Sequence, residues 1–172
     1  VLLSGGRRFS LTLDMTGWVV IIAGEALRVW AVGYAGASTR SMKLKAERLV
    51  TWGPYAWTRN PIYLGNFLIG LGFCFVAGVW WVFFLYLAYF IIQYGAIISV
   101  EEEFLRGRFG EEYEVYVGRV PRFFPAIRTL SEAGSQGQRF QIAALSGEYW
   151  TVLGILAMGV VLEVLKGVYD GT

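Results

Sequence analysis

From Val79 to Val100 the chain reads VWWVFFLYLAYFIIQYGAIISV, without one charged side chain. About 20 apolar residues cross the hydrocarbon core of a bilayer. Lipid offers no water to exposed peptide groups, so such a run has one stable single-segment form, the α-helix. The rest of the 172-residue sequence must be fitted around that helix.

Three further runs join it. Met15 to Ala35, Ile62 to Ala77 and Tyr149 to Leu165 are each apolar enough to read as spans, the last ended by Lys166. Gly78 leaves room only for a tight turn, so the Ile62 and Val79 runs form a helical hairpin. Charged residues make up only 16% of the chain, against roughly 25% in soluble domains. Seven Trp and ten Tyr suit two membrane–water interfaces. The expected fold is an all-α integral membrane protein: about four transmembrane helices in a single domain over residues 1–172. The chain starts at Val1, and VLLSGG reads as the tail of one more span upstream.

Loop charge gives the orientation. Arg40, Lys43, Lys45, Arg48 and Arg59 lie between the first and second spans. Arg106, Arg108, Arg119, Arg122, Arg128 and Arg139 lie between the third and fourth. Only Arg7, Arg8 and Lys166 fall on the other side. Both long polar segments are therefore expected to face the cytoplasm, and SEAGSQGQ, Ser131 to Gln138, reads as a flexible loop. A net charge of +2 gives no reason to expect a nucleic-acid partner. With no histidine and Cys74 alone, the chain has no histidine base, no internal disulfide and no cysteine–histidine metal site.

Polar residues inside or beside the spans carry the chemistry. Glu25 and Arg28 are three apart on one helix face, so they are read as a self-neutralising pair facing the bundle interior, or as the lining of a substrate cleft. WTRNPIYLGN, Trp57 to Asn66, stands at the mouth of the second span. Asn60 is a favoured N-cap and Pro61 a natural first helical residue. On that reading Arg59 reaches lipid phosphate and Tyr63 joins the aromatic belt. The same helix start also offers free N–H groups to an anion, Gly65 permits close approach of a ligand or a second backbone, and Tyr63 can face a cation. After the third span, Glu101 to Glu103 lie where a helix C-terminus would disfavour acids, unless the helix continues. Tyr113, Tyr116 and Val120 share one face of a short amphipathic helix that Pro121 and Pro125 terminate.

The two stretches GPYAWTRNPIYLGN and EEEFLRGRFGEEYEVYVGRVPRFFP together resemble the isoprenylcysteine carboxyl methyltransferases and related phospholipid methyltransferases. The first family motif is matched by Arg59, Pro61, Tyr63 and Gly65. The second is matched by Glu101, Glu102, Leu105, Phe109, Gly110, Tyr113, Tyr116, Arg119, Val120, Pro121 and Pro125. GEALRVWAVGY, RLVTWGPYAW and EYWTVLG also look like bacterial members. The resemblance implies a membrane enzyme using S-adenosylmethionine to methylate a membrane lipid or lipidated substrate. It implies a cofactor site of Arg59, Asn60, Pro61, Tyr63, Gly65, Glu101, Glu102, Tyr113, Tyr116 and Arg119, and it assigns no catalytic residue. Asn60 stands where the family has His. An amide keeps a donor and an acceptor but carries no proton near neutral pH. Without histidine a carboxylate acceptor, already ionised, is favoured. Two other classes stay open: a non-catalytic, family-derived subunit associated with other membrane subunits, and a reductase on a similar membrane fold.

Overall fold

The computed structural model describes residues 11–36, 48–125 and 140–170. Five α-helices are present in that range: α1 (Leu11–Ala35), α2 (Pro61–Ala77), α3 (Trp80–Phe109), α4 (Glu111–Arg119) and α5 (Glu148–Asp170). Short 3-10 turns at Gly53–Ala56 and Ile142–Gly147 precede α2 and α5. No strand occurs among the described residues. Arg7, Arg8, Arg40, Lys43, Lys45, Arg128, Arg139 and the Ser131–Gln138 loop lie outside them.

Three segments are long and apolar enough to cross a membrane: Leu11–Ala35, Trp80–Phe109 and Ile142–Val168. The fourth expected span, α2, is an apolar helix of 17 residues, short of the roughly 20 that a full crossing takes. It is nonetheless the helix around which the others are organised. Gly17 and Gly24 of α1 face Gly72 and Gly65 of α2, running antiparallel. A Cβ on Gly24 would lie 2.8 Å from the Gly65 carbonyl oxygen, and one on Gly17 would lie 2.7 Å from that of Gly72. Both pairs are seven residues apart, two helical turns, so the backbones touch at two levels of one seam. In lipid such small-residue seams replace the hydrophobic drive that water would supply.

The α2–α3 turn forms as expected. Gly78 adopts φ 64°, and its N–H donates to the carbonyls of Cys74 and Phe75, closing α2. Beyond the turn, rings hold the hairpin together. Phe67 meets Phe90 edge-on at 5.0 Å, and Phe90 stacks on Tyr94 at 4.4 Å.

Two ends differ from expectation. The third span does not stop at Val100, because α3 runs on to Phe109. Its 30 residues make about 45 Å of helix, beyond a core of about 30 Å. The three glutamates therefore sit inside a helix, and the dipole objection to them lapses. Likewise α5 continues past Lys166. That side chain is buried, its ammonium donating to Asp14 of α1 at 2.7 Å and Glu163 at 2.9 Å. The lysine that looked like an end marker pins the far end of α5 to the start of α1.

Candidate functional site

The start of α2 and the last third of α3 meet where the hairpin returns to the end it left. The Asn60 amide donates to Glu102 Oε1 at 3.3 Å, so the two sequence motifs are in contact. Arg59 Nη1 lies 3.4 Å from the same oxygen, and Arg122 Nε lies 3.0 Å from Oε2. Glu102 is 9% exposed, whereas Glu103 is exposed. One turn along α2, the Tyr63 hydroxyl donates to Glu101 at 2.7 Å. The helical spacing of Glu101 and Glu102 turns the first to Tyr63 and the second to Asn60.

The segment after α4 straps this cluster down. Val120 ends α4 in extended backbone, as Pro121 requires of the residue before it. The Arg59 N–H donates to the Pro121 carbonyl at 3.0 Å. The Arg122 carbonyl accepts from the Asn60 amide at 2.8 Å and from the Thr58 hydroxyl at 3.3 Å. Beneath the strap, α4 buries Tyr113, Tyr116 and Val120 with Leu49, the face that their three- and four-residue spacing marked out. The Tyr116 hydroxyl donates to the Tyr55 carbonyl at 2.7 Å. Burial pushes the Tyr116 hydroxyl well above its ordinary range. Burial also raises that of Tyr113, against the pull of the neighbouring Arg59 guanidinium.

In this region Arg59 Nε is buried without a hydrogen-bond partner, and the Tyr113 hydroxyl lies against the same guanidinium. An unmade hydrogen bond on a buried group costs about 1–3 kcal/mol. A polar ligand reaching Arg59 Nε would recover that cost.

Several expectations about individual side chains change. Asn60 does occupy the N-cap position, and Pro61 is the first helical residue, but the Asn60 side chain makes no capping hydrogen bond. Its amide nitrogen donates to Glu102 and to the Arg122 carbonyl instead, and these acceptors, not a helix N–H on the side-chain oxygen, set its orientation. Arg59 turns to Glu102 rather than outward toward lipid phosphate. Tyr63 spends its hydroxyl on Glu101 and packs its ring 5.5 Å from Tyr94, which leaves the aromatic-belt reading without support. Gly65 does permit a close approach, and the neighbour is the α1 backbone at Gly24. Arg119 is exposed on α4, and no contact brings it to the cluster. Arg122, which no motif pointed to, fills that role.

Glu25 and Arg28 are not a self-contained pair. Arg28 Nε is 3.4 Å from Glu25, but its terminal nitrogens reach other helices. They donate to Glu148 of α5 at 2.9 Å, to Thr151 at 3.2 Å and to the Asn66 carboxamide oxygen of α2. Asn66 in turn lies 3.4 Å from the Tyr94 hydroxyl. Both Glu25 carboxylate oxygens are buried without a hydrogen bond. One guanidinium thus joins α1, α2 and α5 within the spans.

The profile of the phospholipid methyltransferase family matches residues 13–112, more than half the chain. Among individual proteins, the chain is similar to the nickel-cobalt-cadmium resistance protein of Alcaligenes xylosoxydans xylosoxydans, 34% identical over 119 residues, which cover 68% of this chain and 50% of that protein. It is similar to protein-S-isoprenylcysteine O-methyltransferase of Mus musculus, 36% identical over 126 residues, covering 67% of this chain and 42% of the enzyme. The human enzyme of that name is 34% identical over the same coverage. The chain spans about half the length of the curated relatives it matches.

Proposed function

The chain belongs to the phospholipid methyltransferase family, and from that premise we propose that it transfers a methyl group from S-adenosylmethionine to a lipidic or prenylated acceptor at the cytoplasmic membrane face. The observation that carries this reading is the contact of the two motifs, Asn60 on Glu102 at 3.3 Å, beside the buried Arg59 Nε, which has no hydrogen-bond partner.

The donor set fits the cofactor. Glu101 and Glu102 are acceptors for an ammonium or for ribose hydroxyls. Arg59 and the start of α2 are donors for a carboxylate. Tyr113 has a hydroxyl to give. When bound, S-adenosylmethionine supplies a methyl group already activated on a cationic sulfur. What remains for the protein is to hold the two ends in line and to exclude water. The strap from Val120 to Arg122 and the buried face of α4 supply the exclusion. Arg59, 11% exposed at its side chain and tied to Glu102, supplies a fixed positive charge.

A carboxylate is the acceptor that this chain's residues serve best. It arrives ionised, so it needs no base, and the chain has no histidine to act as one. One of the relatives carries a name concerning metal resistance. Among the described residues no group of three or more His, Cys, Asp or Glu could hold a metal ion.

One observation favours a second reading, a non-catalytic subunit of a larger membrane assembly. Both amide hydrogens of Asn60 are committed inside the protein, to Glu102 and to the Arg122 carbonyl. One calorimetric titration of the purified chain with S-adenosylmethionine and with NADPH separates the readings. Binding of the first alone supports the methyltransferase, and binding of neither supports the subunit. Binding of NADPH alone would point to a reductase.

A further inference from the structure

The partners of Glu102 are unequal, and the inequality assigns Arg122 a role. Oε1 is held from within, by Asn60 at 3.3 Å and Arg59 Nη1 at 3.4 Å. Both residues are largely buried and fixed by the start of α2. Oε2 has Arg122 Nε at 3.0 Å. The Arg122 side chain is 47% exposed, while those of Arg59 and Glu102 are 11% and 12% exposed. Arg122 also holds a second tie that does not depend on Glu102: its Nη2 donates to the Ser99 hydroxyl at 2.8 Å. An exposed guanidinium with an alternative partner and access to water leaves a carboxylate at little cost. A buried one does not.

Charge balance points the same way. Glu102 faces Arg59 and Arg122, and Glu101 lies beside it on α3, toward Tyr63: two acids and two bases in this part of the cluster. S-adenosylmethionine carries a sulfonium, an ammonium and one carboxylate, a surplus of one positive charge. Added to a balanced set it leaves one positive charge in excess. If Arg122 swings out as the ligand enters, the balance is kept, and the ligand's ammonium inherits the vacated contact with Oε2.

We propose that Arg122 is a displaceable placeholder on Glu102: its guanidinium occupies the position that the α-ammonium of the bound cofactor takes, so that binding requires the exchange of one cation for another. The proposal rests on the reading of this cluster as a cofactor site. It concerns a residue that is not one of the matched motif positions, and it gives Arg122 a negative effect on affinity, whereas a residue that merely organised Glu102 would have a positive one.

The test is calorimetric, on the full chain in detergent, comparing the parent with Arg122→Gln. Three probes are used: S-adenosylmethionine; S-adenosylhomocysteine, which keeps the ammonium but lacks the sulfonium charge; and 5′-methylthioadenosine, which lacks the amino-acid end. Losing an exposed competing ion pair should tighten the first two by about three- to fivefold. It should leave the third unchanged. Glu103→Gln, an exposed neighbour, should alter none of them. Because Arg122 is half-exposed, thermal melting of the variant should match the parent. Equal or weaker binding of S-adenosylmethionine by Arg122→Gln overturns the proposal. So does an equal gain with 5′-methylthioadenosine, which would place the effect in the strap rather than at the ammonium. A parent that binds none of the three at millimolar concentration overturns the proposed function, and this inference falls with it; the parent's own titration thus tells the two failures apart.

Discussion

Two of the charge clusters among the described residues, one around Glu102 and one around Arg28, are built in opposite proportions. At the start of α2, one carboxylate, Glu102, is shared by two guanidinium groups, and one of these is half in solvent. Within the spans, one guanidinium, Arg28, is shared by two carboxylates, and all three side chains are between 11% and 14% exposed. The first cluster has a partner that can leave. The second has none, and its members come from α1 and α5 while Asn66 adds α2. A ligand can enter an ion cluster only where some existing contact is cheap to give up. The same chemistry therefore makes a candidate binding site at one place and a structural pin at the other.

The largest effect should come from cutting the pin. Arg28→Ala removes the guanidinium that buried Glu25 and Glu148 share and should destabilise the bundle by about 3–5 kcal/mol, read as a lowered melting temperature in detergent. Replacing all three charges together, Arg28→Met with Glu25→Gln and Glu148→Gln, should recover most of that loss. If Arg28→Ala melts like the parent, the cluster is not a pin and the contrast fails.

The glycine seam is the next largest. Gly24→Ala sets a methyl 2.8 Å from the Gly65 carbonyl oxygen and 2.9 Å from the Ile69 nitrogen. Both neighbours are backbone, so neither can turn aside, and the substitution should cost about 1–3 kcal/mol. Gly154→Ala on α5, where an added Cβ meets nothing within 4 Å, serves as the control and should be neutral or slightly stabilising. Equal melting of the two variants would show that the α1–α2 contact is looser than described.

A smaller effect should follow Tyr63→Phe. It removes the hydroxyl that donates to Glu101 at 2.7 Å and keeps the ring against Tyr94. Cofactor affinity should fall by less than about tenfold, about 1 kcal/mol, with no change in melting. A loss as large as that of a Glu102 variant would mean that Glu101, not Glu102, is the main anionic contact.

How much of this was legible in the sequence depends on distance along the chain. The apolar run from Val79, the Gly78 turn and the buried face of Tyr113, Tyr116 and Val120 all follow from local periodicity, and all three are present. The meeting of the two motifs was legible as well, because a hairpin must bring its ends together. The side-chain partners were not. Asn60 before Pro61 correctly marks where α2 starts, yet its amide goes to Glu102, 42 residues away. Arg28 next to Glu25 suggests a local pair, yet its strongest partner, Glu148, is 120 residues away. Arg122 belongs to no periodic face and no motif position. Glu101 to Phe109 continues a helix without any apolar run to announce it, since its stability comes from the turns of α3 that precede it and from α4 packed below.

The central claim is that Glu102 serves binding while Glu148 serves the fold, and two isosteric substitutions test it directly. Glu102→Gln and Glu148→Gln are each measured for S-adenosylmethionine affinity by calorimetry and for melting temperature in the same detergent. Loss of a charge-assisted contact should weaken binding by Glu102→Gln about 10- to 150-fold, with some fall in melting because the buried Arg59 loses its carboxylate. Glu148→Gln should melt earlier and bind as the parent does. The reverse pattern, a Glu102 variant that binds normally and a Glu148 variant that does not, would contradict the account and move the site into the spans.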